Sequence, residues 1–416
     1  MKRIAIKYLF NIFSGSTPES GQSLFWDGDY NWFTPDDLGK LGNQIFVTDS
    51  KRKVTEEGID NANLKFAKEN SIIISKRAPI GNLAILSKAA SCNQGCFILE
   101  EKNDLVNSKY YYYFLSIQKD NLNSLGRGST FLELNSDDMK SFTVPYPTLV
   151  QQNKIVAYLD QEIAKIDALI EKKKRLVELL EEKKKATISQ AVTKGLNPNV
   201  KLKSSGIDWL GDIPEHWEVI KLKYTANKIS TGTTPDGYDQ PIEEDDQNIV
   251  NWFTPGDFTD NFNLLNNSSR KLTSKIIEDN KLILFNKNSI MFVGIGATLG
   301  KVSISDFEFY TNQQINIIEL KSEFDKTFIG LSLSSLIEFS KVYANAATLP
   351  ILNQQKLGEI QIPIPSLNEQ TEISDNLNKY MSSHLALISK INNSIDLLKE
   401  KRTAIISAAI NGEINL

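Results

Sequence analysis

Asn31-Trp32-Phe33-Thr34-Pro35 returns 220 residues later as Asn251-Trp252-Phe253-Thr254-Pro255. Gly15-Ser16-Thr17-Pro18 returns as Gly232-Thr233-Thr234-Pro235 at an offset of 217, and Val144-Pro145-Tyr146-Pro147 as Ile362-Pro363-Ile364-Pro365 at 218. A repeat has to be identified before any motif is interpreted, because it sets the architecture. Two units of this size are far longer than solenoid repeats, so the chain reads as a pseudo-dimer. A pseudo-two-fold molecule offers one kind of surface twice, and duplex DNA is the commonest partner that rewards this.

A length of 416 residues exceeds one ordinary core, and 41% hydrophobic with 24% charged residues is usual for a globular protein. Cys92 and Cys96 cannot build a disulfide framework, so a cytoplasmic location is expected and both read as small buried packing residues. The two histidines, His216 and His384, lie far from them in sequence, which argues against a zinc site. Lys7 interrupts the apolar run that opens the chain, and no stretch has the length of a membrane span. The net charge of −4 argues mildly against nucleic acid. It is unevenly spread: residues 149–194 hold ten Lys/Arg against seven Asp/Glu, residues 367–412 five against five.

Each Pro-x-Pro is followed by a long heptad segment. In the first, Leu159, Ile163, Ile166, Ile170, Val177 and Leu180 form the seam; in the second, Leu377, Met381, His384, Ile388, Ile395 and Leu398 stand in the same register. Thr148 with Gln151 and Ser366 with Glu369 predict N-terminal capping boxes, and Gly195 and Gly412 predict C-terminal stops. Two matching seams most simply bury each other as an antiparallel pair of about 43 residues, about 65 Å long. The lysines at 172–174 and 183–185 are interleaved with Glu178, Glu181 and Glu182, which suits a solvated helix face or a docking face.

Residues outside these helices read as mixed α/β heads with short strands. Ser71-Ile72-Ile73-Ile74 and Lys281-Leu282-Ile283-Leu284-Phe285 are expected to be buried strands. Gly294 to Lys301 imitates a phosphate loop, but Ile295 stands where its first glycine belongs and Val302 where a Ser/Thr would hold magnesium, so a tight turn is expected. Asn31 to Pro35 is not the Asn/Asp-Pro-Pro-Tyr/Phe type of motif that holds a flipped base, and no catalytic constellation stands out. Trp32 and Trp252 read as core.

The whole chain resembles the specificity subunit of type I restriction–modification systems. The resemblance rests on Trp209-Leu210-Gly211-Asp212-Ile213-Pro214-Glu215-His216-Trp217, on Trp252-x-Thr254-Pro255-x-Asp257, on Gly296-Ala297-Thr298-Leu299-Gly300-Lys301 with Asn312-Gln313, and on Pro363 to Gln370. The first copy departs from that pattern: it has Gln151-Gln152 where Glu-Gln is usual, and it lacks the Ile-Pro-x-His-Trp opener.

The resemblance implies an α/β (α+β) fold with two target-recognition heads, residues 1–148 and 198–366 without their helices, and two conserved spacer helices, 149–197 and 367–416. It implies that each head reads half of a bipartite asymmetric DNA site while the coiled-coil rod sets the gap. It also implies docking of two methyltransferase subunits and, through them, restriction/translocase subunits. The chain itself would bind no cofactor; S-adenosylmethionine, ATP and Mg would sit on its partners. Base-reading candidates are the loops before the last strand of each head: Arg127, Ser129, Thr130 and Asn135 in one, Asn345, Thr348 and Asn353 in the other. Thr34 and Thr254 are further candidates, with Lys51, Arg52, Lys53, Arg270 and Lys271 for phosphates. The duplication and the heptads would also suit a coiled-coil protein adaptor that binds no DNA.

Overall fold

The computed structural model describes residues 2–77, 79–127, 132–208, 210–239, 249–259, 262–296, 298–343 and 352–416, the side chains of 337–343 excepted. Two compact units partition the chain: Met1–Arg175 with Ile391–Leu416, and Leu176–Lys390.

In the first unit a five-stranded sheet has the order Phe10–Ser14, Cys96–Glu101, Ile72–Ser75, Leu83–Leu86, Phe46–Val47, antiparallel except for the last pair. A three-stranded sheet places Trp26–Phe33 between Arg52–Val54, antiparallel, and Ser91–Cys92, parallel. Arg3–Ala5 pairs with Thr143–Pro145. Alternate side chains of a strand face opposite ways, and here both faces are covered. Ile72, Ile74, Phe97 and Leu99 enter one core with the tyrosine-rich helix Ser108–Ser116, while Ile73 and Ile98 enter another with Cys92 and Cys96. That explains the unbroken apolar run at 72–74.

The second unit repeats this topology strand for strand. Its five-stranded sheet runs Ala226–Thr231, Ile315–Leu320, Ile290–Val293, Val302–Ile304, Asn263–Leu264, and its three-stranded sheet holds Val250–Phe253 between Arg270–Leu272 and Tyr310–Thr311. Glu218–Lys221 pairs with Gln361–Ile364, and a hairpin of Leu202–Ser204 with Asp212–Pro214 is added. One sequence expectation fails here. Lys281 to Phe285 is no strand: Lys281 adopts φ +50°, only Phe285 makes a bridge, to Phe309, and Ile283 and Leu284 are exposed. The left-handed residue turns the chain, and the buried strand is Ile290–Val293.

The long helices are Leu149–Lys194 and Leu367–Asn411. Thr148 and Gln151 form the expected capping box, the Glu369 N–H donates to Ser366 Oγ at 3.4 Å, and Gly195 and Gly412 have φ of +74° and +76°. In the first unit Leu159 and Ile163 share a core with Ile406 and Ile410, and Arg402 pairs with Asp167 at 3.2 Å. In the second unit Ala191 and Val192 share a core with Ile373 and Leu377. Within each unit, then, the beginning of one helix meets the end of the other. Lys184 corrects the picture of a wholly solvated lysine tract: it is 3% exposed, pairs with Glu181, and lies near buried His384. Burial and the Lys184 charge lower the His384 pKa, and its Nε2 has no partner among the described residues. Among the described residues, no helix is long and apolar enough to cross a membrane.

Candidate nucleic-acid interface

The twice-written motif builds the same brace in both heads. In the first, Asn31 Oδ1 accepts the Ser50 N–H at 3.2 Å, Ser50 Oγ accepts the Trp32 N–H at 3.0 Å, and Trp32 Nε1 donates to the Ser16 carbonyl at 2.9 Å. In the second, Asn251 accepts from Ser268 at 3.0 Å, Ser268 from Trp252 at 3.2 Å, and Trp252 donates to Thr233 at 3.2 Å. Asp37 accepts the N–H groups of Thr34 (2.8 Å) and Lys51 (3.1 Å); Asp257 accepts those of Thr254 (2.7 Å) and Ser269 (2.7 Å). The glycine of the second repeated motif closes the brace. A Cβ on Gly15 would lie 1.7 Å from the Cys92 carbonyl oxygen, and one on Gly232 would lie 1.9 Å from that of Thr311. Cys92 and Cys96 are free and buried, and burial pushes the Cys92 thiol up to about 12.

Many of the candidate residues have partners inside their own head. Thr34 and Thr254 cap the turns that follow them, and Trp32 and Trp252 are buried. Asn135 accepts the N–H of Asp137 at 2.6 Å, and Asn353 that of Lys356 at 2.9 Å, so each starts a short helix. Arg127 is exposed and pairs with Asp138 at 3.1 Å. Lys53 pairs with Asp49 at 3.3 Å, while Lys51 and Lys271 are exposed. The guanidinium of Arg52 lies 3.4 Å over the Trp26 ring and that of Arg270 lies 5.2 Å over the Tyr238 ring. Ser129, Thr130, Asn345 and Thr348 lie outside the described residues.

Around this frame the two heads carry different chemistry. In the first, Glu133 accepts from Lys76 and Arg77, each at 2.9 Å, beside the Arg127–Asp138 pair. The Lys76 ammonium, followed by Arg77, holds the Glu133 carboxyl below the usual carboxylate range. In the second, Ile295 and Gly296 stand where the repeat offset would place Lys76 and Arg77. There a cleft of about 430 Å³ is lined by Gln313, Gln314, Asn316, Asn353, Gln354 and Gln355 together with Thr231, Gly294, Ile295 and Leu352. Asn316 is 3% exposed, its amide donates to the Leu352 carbonyl at 2.9 Å, and its Oδ1 has no partner among the described residues.

The family model for the type I restriction modification DNA specificity domain matches residues 1–179 and 214–397. The chain belongs to that family. Among its relatives, the type I restriction enzyme MjaIX specificity subunit of Methanocaldococcus jannaschii is 27% identical, over 99% of this chain and 93% of that protein. The EcoBI specificity subunit of Escherichia coli is 24% identical over 79% of this chain and 70% of its own length. A chain solved in work on complex assembly and conformational transition of the type I R-M system superposes with a TM-score of 0.75 at 15% identity, covering 99% of this chain and 98% of its own. The HsdS subunit of Thermoanaerobacter tengcongensis gives 0.53 at 15% identity, covering 99% and 97%. These structural likenesses concern the fold.

Membership of the specificity family gives two further features of this chain a context. The second glutamine of each Gln-Gln or Glu-Gln pair is a buried clamp. Gln152 accepts the Asn107 N–H at 2.8 Å and donates to the Leu105 and Pro147 carbonyls, while Gln370 accepts the Asp325 N–H at 2.9 Å and donates to Pro365. Glu369, the first of its pair, accepts from Trp217 Nε1 at 3.1 Å and lies 2.9 Å from His216 Nε2. The opener His-Trp and the helix-starting Glu are thus two halves of one latch. In the first copy Gln151 stands where the second has Glu369.

Proposed function

We propose that this specificity-family chain reads a bipartite, asymmetric DNA site, one half per head. The long helices set the unread gap and dock two methyltransferase subunits, and through them the restriction/translocase subunits. The chain carries out no chemistry, and S-adenosylmethionine, ATP and Mg belong to its partners. The observation that carries this reading is one frame bearing two unlike surfaces, charged in the first head and carboxamide-lined in the second. A symmetric site would need like surfaces; two unlike half-sites need unlike ones. Asn and Gln pair bidentately with adenine edges, and Arg with guanine. In the first head, Arg127 and Asn135 flank the Glu133 hub, with Ser129 and Thr130 proposed beside them. In the second, Asn353 belongs to the cleft, and Asn345 and Thr348 remain proposed base-reading residues by sequence.

Methylation mapping of the host genome, with and without this gene, tests the reading. Loss of adenine methylation at one split motif is expected. Substituting Gln354 and Gln355 by Ala should relax one half of that motif and leave the other intact. Unchanged methylation on deletion, in cells where the partner subunits are expressed, would sink the proposal in favour of a protein adaptor.

A further inference from the structure

The two arginine stacks share an arrangement that the repeat by itself does not dictate. Trp32 faces Arg52 across the strand pair, and Trp252 faces Arg270 in the same register. In each head a second aromatic ring packs on the buried tryptophan and under the guanidinium. Trp26 lies 5.0 Å from Trp32, and Tyr238 lies 5.5 Å from Trp252. Those outer rings are not counterparts in sequence. The offset of 218 would carry Trp26 to position 244, six residues beyond Tyr238. Trp26 begins a strand, whereas Tyr238 lies in a turn before one. Different residues from different places in the repeat therefore support the same exposed cation.

Covering an aromatic ring with an arginine stem is the ordinary role of such a contact. It does not account for the second head, where Tyr238 remains 37% exposed under Arg270. Asp49, the acidic neighbour of Arg52, is occupied by Lys53 at 3.3 Å, and neither arginine has an ion pair among the described residues. A guanidinium held over a ring has lost some of its rotamer freedom before any ligand arrives, while its N–H donors keep the fork geometry that matches a phosphate.

We infer that Arg52 and Arg270 are the paired phosphate anchors of the two heads, each binding a phosphodiester of duplex DNA in the same way whatever the sequence. The inference rests on the DNA-reading proposal and extends it by separating the shared contact from the unlike surfaces beside it. Phosphate contacts position a protein on a duplex, and base contacts specify the sequence. Two heads that read different half-sites can share only the former. An acidic chain also needs local cations to approach DNA at all.

The test uses the full chain assembled with its methyltransferase subunits, one duplex carrying the mapped motif and one unrelated duplex of equal length. R52A and R270A should each lower affinity for both duplexes by about ten-fold, and each should reduce the slope of log affinity against log salt by about one. The methylated motif should stay the same. R52K and R270K keep the charge but not the planar fork, so they should fall between wild type and the alanine variants. Unchanged affinity and slope with a lowered melting temperature would overturn the inference and make the stacks structural braces. A variant that changes base preference at one position of one half-site would also overturn it, in favour of guanine reading. Failure of the wild-type complex to prefer the motif duplex would instead remove the DNA-reading proposal and this inference with it.

Discussion

The two heads share a hydrogen-bonded skeleton and differ in what they display. The Asn-Ser-Trp-Asp brace recurs with the same partners, the same closing glycine and nearly the same distances. Beside it, the Lys76–Glu133–Arg77 hub of one head gives way to a carboxamide-lined cleft in the other. The residues of the brace are written twice, and their polar groups are satisfied inside the head. Positions 76 and 77 differ from their counterparts 295 and 296. The brace therefore marks the shared frame, and the unlike residues beside it are the proposed source of any difference between the heads.

The largest test of that division is to break the frame in either copy. Trp32→Ala and Trp252→Ala should each cost about 3–5 kcal/mol, because both rings are buried and deletion leaves a cavity. Hydrogen exchange that resolves the two heads should show equal losses. A cost confined to one head would mean that the brace is not a shared device. Next in size, Asp37→Ala and Asp257→Ala each remove a capping box and a loop contact, and about 1–2 kcal/mol is expected from each by denaturant unfolding.

Smaller changes sharpen the contrast between copies. His384 stands where the first copy has Ile166, and its buried Nε2 has no partner among the described residues. His384→Leu should stabilise the second unit by about 1 kcal/mol at neutral pH. The wild-type His384 pKa is lowered in the fold, so the folded state disfavours its proton. The stability tied to neutral His384 is present above 6.5 and lost as pH falls through the lowered value. The gain from His384→Leu should therefore grow on acidification, as a melting series between pH 7 and pH 5 would show. Ile166→Leu should give no such pH trend.

The smallest effect is expected from Glu133→Gln, about 0.5 kcal/mol or less, since this carboxylate is partly exposed and screened. Its pKa is lowered, so its contribution is present above 4.5 and disappears as pH falls through the lowered value. High salt should erase the difference from wild type. The second head has Ile351 at that place in the sequence and offers no matching substitution.

Much of the architecture was legible in the sequence because it depends on periodicity and local chemistry. The heptad seams, the Thr148–Gln151 box, the two closing glycines and the buried tryptophans need only spacing and residue type. What escaped depends on tertiary partners. Leu282-Ile283-Leu284 has the composition of a strand, but the left-handed Lys281 before it turns the chain. Lys184 looks solvated within a lysine tract, yet Glu181 one turn earlier lets it be buried. The equivalence of Trp26 and Tyr238 was hidden because they do not align, although the matched Arg52 and Arg270 were a usable signal. Side chains at the proposed readout surface carry no periodicity at all, and their roles follow from loop geometry.

The latch between His216-Trp217 and Glu369 has a consequence for how such a gene can be inherited in pieces. Its halves are encoded some 150 codons apart, at the two borders of the second head. A crossover placed at the Pro-x-Pro boundary would import the histidine and tryptophan but leave behind the residue that receives them. An exchanged second head keeps this latch only where the receiving chain supplies an acceptor at the position of Glu369. A segment that moves with its contacts intact is therefore bounded by a hydrogen bond as well as by the edge of the globular fold.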